Sequence, residues 1–190
     1  ATFFGDQTAA RSGRLTLNPL VHIDPVGTIL LPLIGMWFQV PMFGWAKPVP
    51  IDPRQFRNYR RGLFWVAFAG PLSNILFGFV STLVFVAVEK YVPGTMAYRA
   101  GMLELLRSLV LINFMLAVFN LLPVPPMDGS NIVLSFLSYN ATRVFYQIQQ
   151  YAGLLMLLLL FSRAFQILAI PVIFLANLSE TVARLVFGLA

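Results

Sequence analysis

The sequence contains no cysteine, a single histidine and few charged residues. Without cysteine there can be no disulfide, no thiolate metal site and no cysteine nucleophile. Charged side chains make up 11% of the 190 residues, against about 25% in a typical soluble domain. Hydrophobic residues make up 58%, and a soluble domain of this length could not hide so much apolar surface from water. The chain is therefore predicted to lie in a lipid bilayer.

Long apolar runs predict an all-α polytopic membrane protein with about four transmembrane helices. The predicted spans are residues 62–88, 101–122, 144–161 and 164–189. Glycine and proline interrupt a further apolar stretch, residues 26–46, which argues against a simple straight crossing. We predict a re-entrant or β-hairpin-like segment near residues 15–50, and a single membrane-embedded domain over residues 1–190.

The loop formed by residues 47–61 contains five basic residues and one acidic residue. An excess of Lys and Arg in a short loop beside apolar segments marks the cytoplasmic side of a membrane. Such loops account for the net charge of +6, and they lack the interleaved exposed aromatic residues of a nucleic-acid patch. We therefore expect this loop to be cytoplasmic and expect no nucleic-acid partner.

Residues 120–129 read Asn-Leu-Leu-Pro-Val-Pro-Pro-Met-Asp-Gly and end an apolar run. The prolines forbid further helix, and an ionisable residue in broken backbone at membrane depth is a functional-site candidate. Because the helix breaks at Pro71 and Pro123 should converge, we expect Asp128 at membrane depth, within reach of Asn74 or Asn120. The alternative is an ordinary turn at the membrane surface, in which Asp and Gly serve turn geometry.

Four stretches of the chain resemble stretches of one known protein family and occur in the same order. They are Gly13-Arg-Leu-Thr-Leu-Asn-Pro-Leu-Val-His-Ile-Asp-Pro25, Phe43-Gly-Trp-Ala-Lys-Pro-Val-Pro50, Gly70-Pro-Leu-Ser-Asn74 and the stretch at residues 120–129. The last closely resembles the second metal motif of the site-2 proteases, the intramembrane zinc metallopeptidases. The third matches that family's Gly-Pro-x-x-Asn element, and the first two resemble stretches of a small bacterial subgroup. The resemblance runs from residue 5 to residue 161.

This resemblance implies hydrolysis of a transmembrane protein substrate by zinc-activated water, in a bacterial cytoplasmic membrane. In that family two histidines of a His-Glu-x-x-His helix and one aspartate hold the zinc, and the Glu is the general base. Asp128 matches the aspartate ligand. Asn74 and Asn120 match polar positions that hold the substrate backbone or stabilise the oxyanion. Residues 29–34 resemble the family's edge strand, which would pair with an unwound substrate.

The sequence departs from the family's pattern because it contains no His-Glu-x-x-His. In the family this motif ends a few residues before the Gly-Asp pair found here at Gly5 and Asp6. The start at Ala1, without Met, favours an N-terminally incomplete sequence over a relative that has lost its activity. We expect these 190 residues alone to be inactive and not to hold zinc. For His22 a structural role is favoured, because catalytic zinc needs three protein ligands.

Three functions compete. The leading hypothesis is an intramembrane zinc metalloprotease domain, and the second is a non-catalytic membrane scaffold of the same fold that binds transmembrane segments. The third is a small transporter in which Asp128 and buried asparagines line an ion path. The absence of an internal repeat in the sequence argues against the transporter.

Overall fold

The computed structural model describes residues 1–16, 18–39, 44–161 and 164–189. Within these ranges the regular secondary structure is helical, without a β-strand, so the all-α class is confirmed. The α-helices of these ranges are α1 (Thr8–Arg11), α2 (Leu31–Phe38), α3 (Tyr59–Tyr91), α4 (Arg99–Asn120), α5 (Asp128–Phe136), α6 (Tyr139–Gln149), α7 (Ala152–Phe161), α8 (Ala164–Ile167) and α9 (Ala169–Val186). Short 3-10 turns occur at Thr2–Phe4, Pro19–His22 and Pro53–Gln55, and a π-helical segment at Pro25–Leu30.

Three of these helices, α3, α4 and α9, are long and apolar enough to cross a membrane. The longest is α3, whose 33 residues extend about 50 Å at 1.5 Å per residue. The predicted span at residues 144–161 is instead divided, because α6 ends at Gln149 and α7 begins at Ala152. The ten residues of α7 cover about 15 Å, half of a bilayer's hydrocarbon core. The described residues thus provide three helices of spanning length, and a fourth span is not confirmed.

The segment at residues 29–34 is helical, so the prediction of an edge strand there is wrong. The side chain of Asp24 caps the helical segment by accepting hydrogen bonds from the amides of Val26 at 3.0 Å and Gly27 at 2.8 Å. Pro25 and Pro32 both fall in first turns, where proline costs a helix no hydrogen bond. These local signals outweigh the family resemblance on which the strand prediction relied.

The two flanks of this helical segment lie side by side. The amide of Lys47 donates to the carbonyl of His22 at 2.8 Å, and the amide of Trp45 donates to the carbonyl of Gly27 at 3.2 Å. The hydroxyl of Thr28 also donates to the Trp45 carbonyl at 2.8 Å. The chain therefore returns beside its own starting point. Residues 40–43 lie outside the described residues, and a re-entrant hairpin stays a prediction.

The chain folds as two compact units, Ala1–Gly62 and Leu63–Ala190, and the prediction of one domain stays a prediction. In the first unit the buried carboxylate of Asp6 joins two segments that are distant in sequence. It accepts hydrogen bonds from the amide and hydroxyl of Thr8 and, at 3.0 Å, from the amide of Asp52. Nearby in sequence, the amide of Arg57 donates to the carbonyl of Phe4 at 2.9 Å.

The second unit is built around the contacts among its three long helices. Phe114, with Val110 and Val172, forms a buried apolar cluster between α4 and α9. The hydroxyls of Thr82 on α3 and Ser179 on α9 lie 3.0 Å apart in a buried hydrogen bond. Interhelical hydrogen bonds of this kind stabilise membrane helix pairs modestly, so apolar packing carries most of the association.

Candidate functional site

The motif at residues 120–129 forms a tight connection between α4 and α5. Helix α4 ends at Asn120, and the prolines that follow have no amide to donate. The amide of Met127 donates to the carbonyl of Val124 at 3.0 Å and closes a turn. Helix α5 then begins at Asp128, where the helix dipole favours a negative side chain. Proline chemistry therefore ends one helix, and an aspartate opens the next.

Gly129 leaves no room for a side chain. A Cβ atom added there would lie 2.3 Å from the carbonyl oxygen of Leu121 and 2.4 Å from that of Leu122. The start of α5 consequently packs backbone to backbone against the end of α4, which only glycine permits at this distance. This contact holds the neighbouring Asp128 close to the end of α4.

The carboxyl group of Asp128 lies against α3 at Gly70. A Cβ atom added to Gly70 would be 3.0 Å from Oδ2 of Asp128. Gly70 is 11 residues beyond Tyr59, the first residue of α3, which places this contact about 16 Å along the helix. The structure therefore brings the candidate acid to the Gly-Pro-x-x-Asn stretch of α3.

The Asp128 carboxyl group is half-buried, and no neighbouring group of the described residues compensates its charge. In the described ranges it has no hydrogen-bond or ion-pair partner. Burial raises the pKa of this carboxyl group above its ordinary value, because the charged form loses hydration without gaining a partner. A carboxylate in this situation either takes up a proton or binds a cation, so Asp128 is free to act as a ligand.

Asn74 lies one helical turn beyond Gly70 and therefore on the same face of α3. Both Asn74 and Asn120, the last residue of α4, are half-buried. Pro71 is fully buried, and α3 continues through it without interruption, so the predicted break at this proline is wrong. The site instead combines an unbroken helix with the broken connection after α4. Direct contact of Asp128 with either asparagine stays a prediction.

Candidate zinc ligands are few in the part of the chain that the structure describes. Within the described ranges no group of three His, Cys, Asp or Glu side chains is close enough to hold a metal ion. His22, the chain's one histidine, places its Nε2 3.2 Å from the carbonyl oxygen of Thr16, as a structural histidine would. One carboxylate, Asp128, stands where a catalytic zinc needs three protein ligands.

A family profile and two curated relatives agree on the family to which this chain is similar. Residues 86–162 match the profile of peptidase family M50. The chain is 36% identical over 159 residues to the "Putative zinc metalloprotease YwhC" of Bacillus subtilis, covering 83% of this chain and 69% of that protein. It is 37% identical over 68 residues to the "Putative zinc metalloprotease MJ0611" of Methanocaldococcus jannaschii, covering 36% of this chain and 31% of that protein. No solved structure gives a significant match.

Proposed function

Because this chain belongs to peptidase family M50, the family of the site-2 proteases, we propose that it forms the body of an intramembrane zinc metalloprotease. The observation that carries the proposal is the position of Asp128. Its uncompensated carboxyl group lies against Gly70, in the interior of a helix long and apolar enough to cross a membrane. A carboxylate kept there without a protein partner is suited to metal ligation.

Within this proposal Asp128 is a zinc ligand and the carboxamides of Asn74 and Asn120 face the substrate. Asn74 shares a face of α3 with Gly70, so we expect its amide donors near the carboxylate. Carboxamide donors can bind a substrate carbonyl or an oxyanion without a change of charge. The other two ligands and the general base would come from a His-Glu-x-x-His helix, which these 190 residues do not contain. Hydrolysis by these residues alone is not expected.

The proposed substrate is a transmembrane protein in a bacterial cytoplasmic membrane. The loop at residues 47–61 would lie on the cytoplasmic side, on the strength of its basic residues. Since the chain has no cysteine, single cysteines at positions 14 and 54 can report on sidedness through their accessibility. Labelling of both positions from the same, cytoplasmic, side is expected. Labelling from opposite sides would contradict this topology.

A non-catalytic scaffold of the same fold is the second candidate. It is favoured by one observation, the absence of His-Glu-x-x-His from these 190 residues. Such a scaffold would bind transmembrane segments with the same helices but would not cut them. If the gene encodes this motif in frame before Ala1, the protease is supported over the scaffold.

Metal analysis tests the proposal without knowledge of the substrate. The purified 190-residue chain should hold far less than one zinc per molecule. A form that carries a His-Glu-x-x-His helix should hold close to one, and Asp128→Ala should remove it while the fold survives. Glu104→Ala is the matched control, since Glu104 is an exposed carboxylate on α4. Stoichiometric zinc in the 190-residue chain, lost on Asp128→Ala, would mean that the chain contains unrecognised ligands.

A further inference from the structure

A cavity of about 350 Å³ lies among α3, α4 and α9 in the second unit. Asp128 is not among the residues that line it, so it is separate from the proposed metal site. The lining brings together four charged side chains, Glu89, Arg107, Glu180 and Arg184. Charged groups on membrane helices are costly and are usually retained for a function. This cluster is therefore a candidate binding site.

Three of these side chains are ion-paired, but their charges do not balance. Nη2 of Arg184 lies 2.8 Å from Oε2 of Glu89 and 2.7 Å from Oε1 of Glu180. One guanidinium is thus shared by two carboxylates, which leaves one negative charge in excess. Oε2 of Glu89 is also buried and accepts no hydrogen bond from the described residues, in spite of its ion-pair distance to Arg184. The set therefore lacks one positive hydrogen-bond donor.

Arg107 supplies a positive charge and is exposed. It lines the same cavity from α4, and in the described ranges it has neither an ion-pair nor a hydrogen-bond partner. Its guanidinium can bind an oxyanion through two parallel hydrogen bonds. The cavity consequently presents one unpaired cation and one excess carboxylate, and a ligand that satisfies both must be zwitterionic.

The position of the charges along the helices indicates a lipid. Glu89 lies two residues before the end of α3, and Arg184 lies two residues before the end of α9. Ile173, which lines the apolar part of the cavity, lies 13 residues before the end of α9, or about 20 Å deeper. Charges near the helix ends, with Arg107 eight residues into α4 and an apolar lining beyond them, match a headgroup with its acyl chain.

We propose that this cavity binds the headgroup of a phosphatidylethanolamine molecule, with the phosphate at Arg107, the ammonium at Glu89 and Glu180, and an acyl chain against the apolar lining. An ammonium supplies the N–H donor that Oε2 of Glu89 lacks. Phosphatidylcholine has no such donor, and phosphatidylglycerol has no cation to compensate the excess carboxylate. This ligand does not depend on the metal site, so its failure would leave the proposed protease function untouched.

Native mass spectrometry of the delipidated 190-residue chain in detergent tests this proposal. Phosphatidylethanolamine, phosphatidylcholine and phosphatidylglycerol with identical acyl chains are titrated separately. We expect one phosphatidylethanolamine per chain, bound about tenfold more tightly than either other lipid, since charge-assisted hydrogen bonds distinguish them. Arg107→Gln should weaken it about tenfold, and Arg107→Lys, which keeps the charge but loses the paired hydrogen bonds, should restore only part of the affinity. Arg143→Gln, at a position on α6 away from the cavity, is the matched control and should change nothing.

Glu89→Gln provides an independent readout. Removal of the excess charge should abolish the preference for phosphatidylethanolamine over phosphatidylcholine. Equal binding of the three lipids to the wild-type chain would overturn the proposal, and this comparison does not depend on the folding of any variant. An unchanged affinity in folded Arg107→Gln would overturn it as well. Equally tight binding of soluble glycerophosphoethanolamine would assign the cavity to a water-soluble ligand and contradict the lipid.

Discussion

Two buried or half-buried aspartates, one in each unit of the molecule, differ in what surrounds them. Asp6 in the first unit is 0% exposed and accepts hydrogen bonds from Thr8 and Asp52. Asp128 in the second unit is half-buried, and the described residues offer it no partner. A carboxylate whose acceptors are all used holds a fold together, whereas one left unmatched is available to a ligand. Burial alone therefore does not single out a candidate ligand, whereas unpaired acceptor atoms do.

The largest effect should follow from Asp128→Ala in a form that carries a His-Glu-x-x-His helix. Loss of one of three zinc ligands should lower zinc affinity and proteolysis by more than about 100-fold, since even loss of an outer-shell partner costs about 10–100-fold. Zinc content and peptide-bond cleavage measure this change. Thermal unfolding should be nearly unchanged, because the helices satisfy their own backbone hydrogen bonds. A large fall in melting temperature with retained zinc would mean that Asp128, like Asp6, serves to hold the fold together.

Gly70→Ala should give the next largest effect. The added Cβ would meet Oδ2 of Asp128 at 3.0 Å, so the carboxylate must move by a few tenths of an ångström. We expect zinc affinity in the same form to fall by about tenfold, because metal ligands tolerate little displacement. Gly101→Ala on α4 is the matched control, since an added Cβ there meets nothing within 4 Å. Equal zinc affinity in the two variants would mean that the Asp128 carboxylate does not lie against α3 at Gly70.

Asp6→Asn should affect stability and leave the metal site alone. The Thr8 hydrogen bonds hold the pKa of the Asp6 carboxyl group below its ordinary value of 3.8. A lowered pKa contributes stability that is present above the ordinary value and is lost as the pH falls through the lowered one. The variant should melt several degrees below the wild type at pH 7, and the difference should shrink below pH 3.8. A constant difference would exclude the carboxylate charge as the cause.

The smallest expected effect is that of Thr82→Val. The variant keeps the shape of the side chain but removes the buried hydrogen bond between Thr82 and Ser179. Such bonds between membrane helices contribute about 0.6 kcal/mol on average. Unfolding in detergent should therefore show a loss of that order, with zinc binding unchanged. A loss of several kcal/mol would mean that this polar contact, and not the apolar cluster at Phe114, organises the second unit.

The extents of α3 and α4 follow closely from the sequence. Predicted spans at residues 62–88 and 101–122 correspond to helices Tyr59–Tyr91 and Arg99–Asn120, because a continuous apolar run of this length has few alternatives in lipid. The predicted span at residues 144–161 is not confirmed, because α6 ends at Gln149 and α7 begins at Ala152 within it. The predicted strand at residues 29–34 failed because it came from family resemblance, while the Asp24 cap and proline placement favour helix.

Asp128 was proposed as a site residue from the sequence, but its surroundings were not predicted. The prolines before it, and its place after an apolar run, identify it as a candidate without any structure. Its contact with Gly70 joins residues 58 positions apart, and only tertiary packing decides such a contact. The same holds for the cavity: Glu89 and Arg184 fall in separate apolar segments, and no local pattern indicates that they meet.

Cross-linking of cysteines placed at positions 74 and 128 tests the central claim, the position of Asp128 against α3, most directly. The chain has no cysteine of its own, so Asn74→Cys with Asp128→Cys yields a single pair. Since side chains one turn apart on a helix are about 5–6 Å apart, a short bifunctional thiol reagent should join the pair in membranes in high yield. The control pairs Asp128→Cys with Leu76→Cys, at an exposed position on α3 about 200° around the helix from Asn74, and should react poorly. Poor reaction at 74, or stronger reaction at 76, would contradict the account.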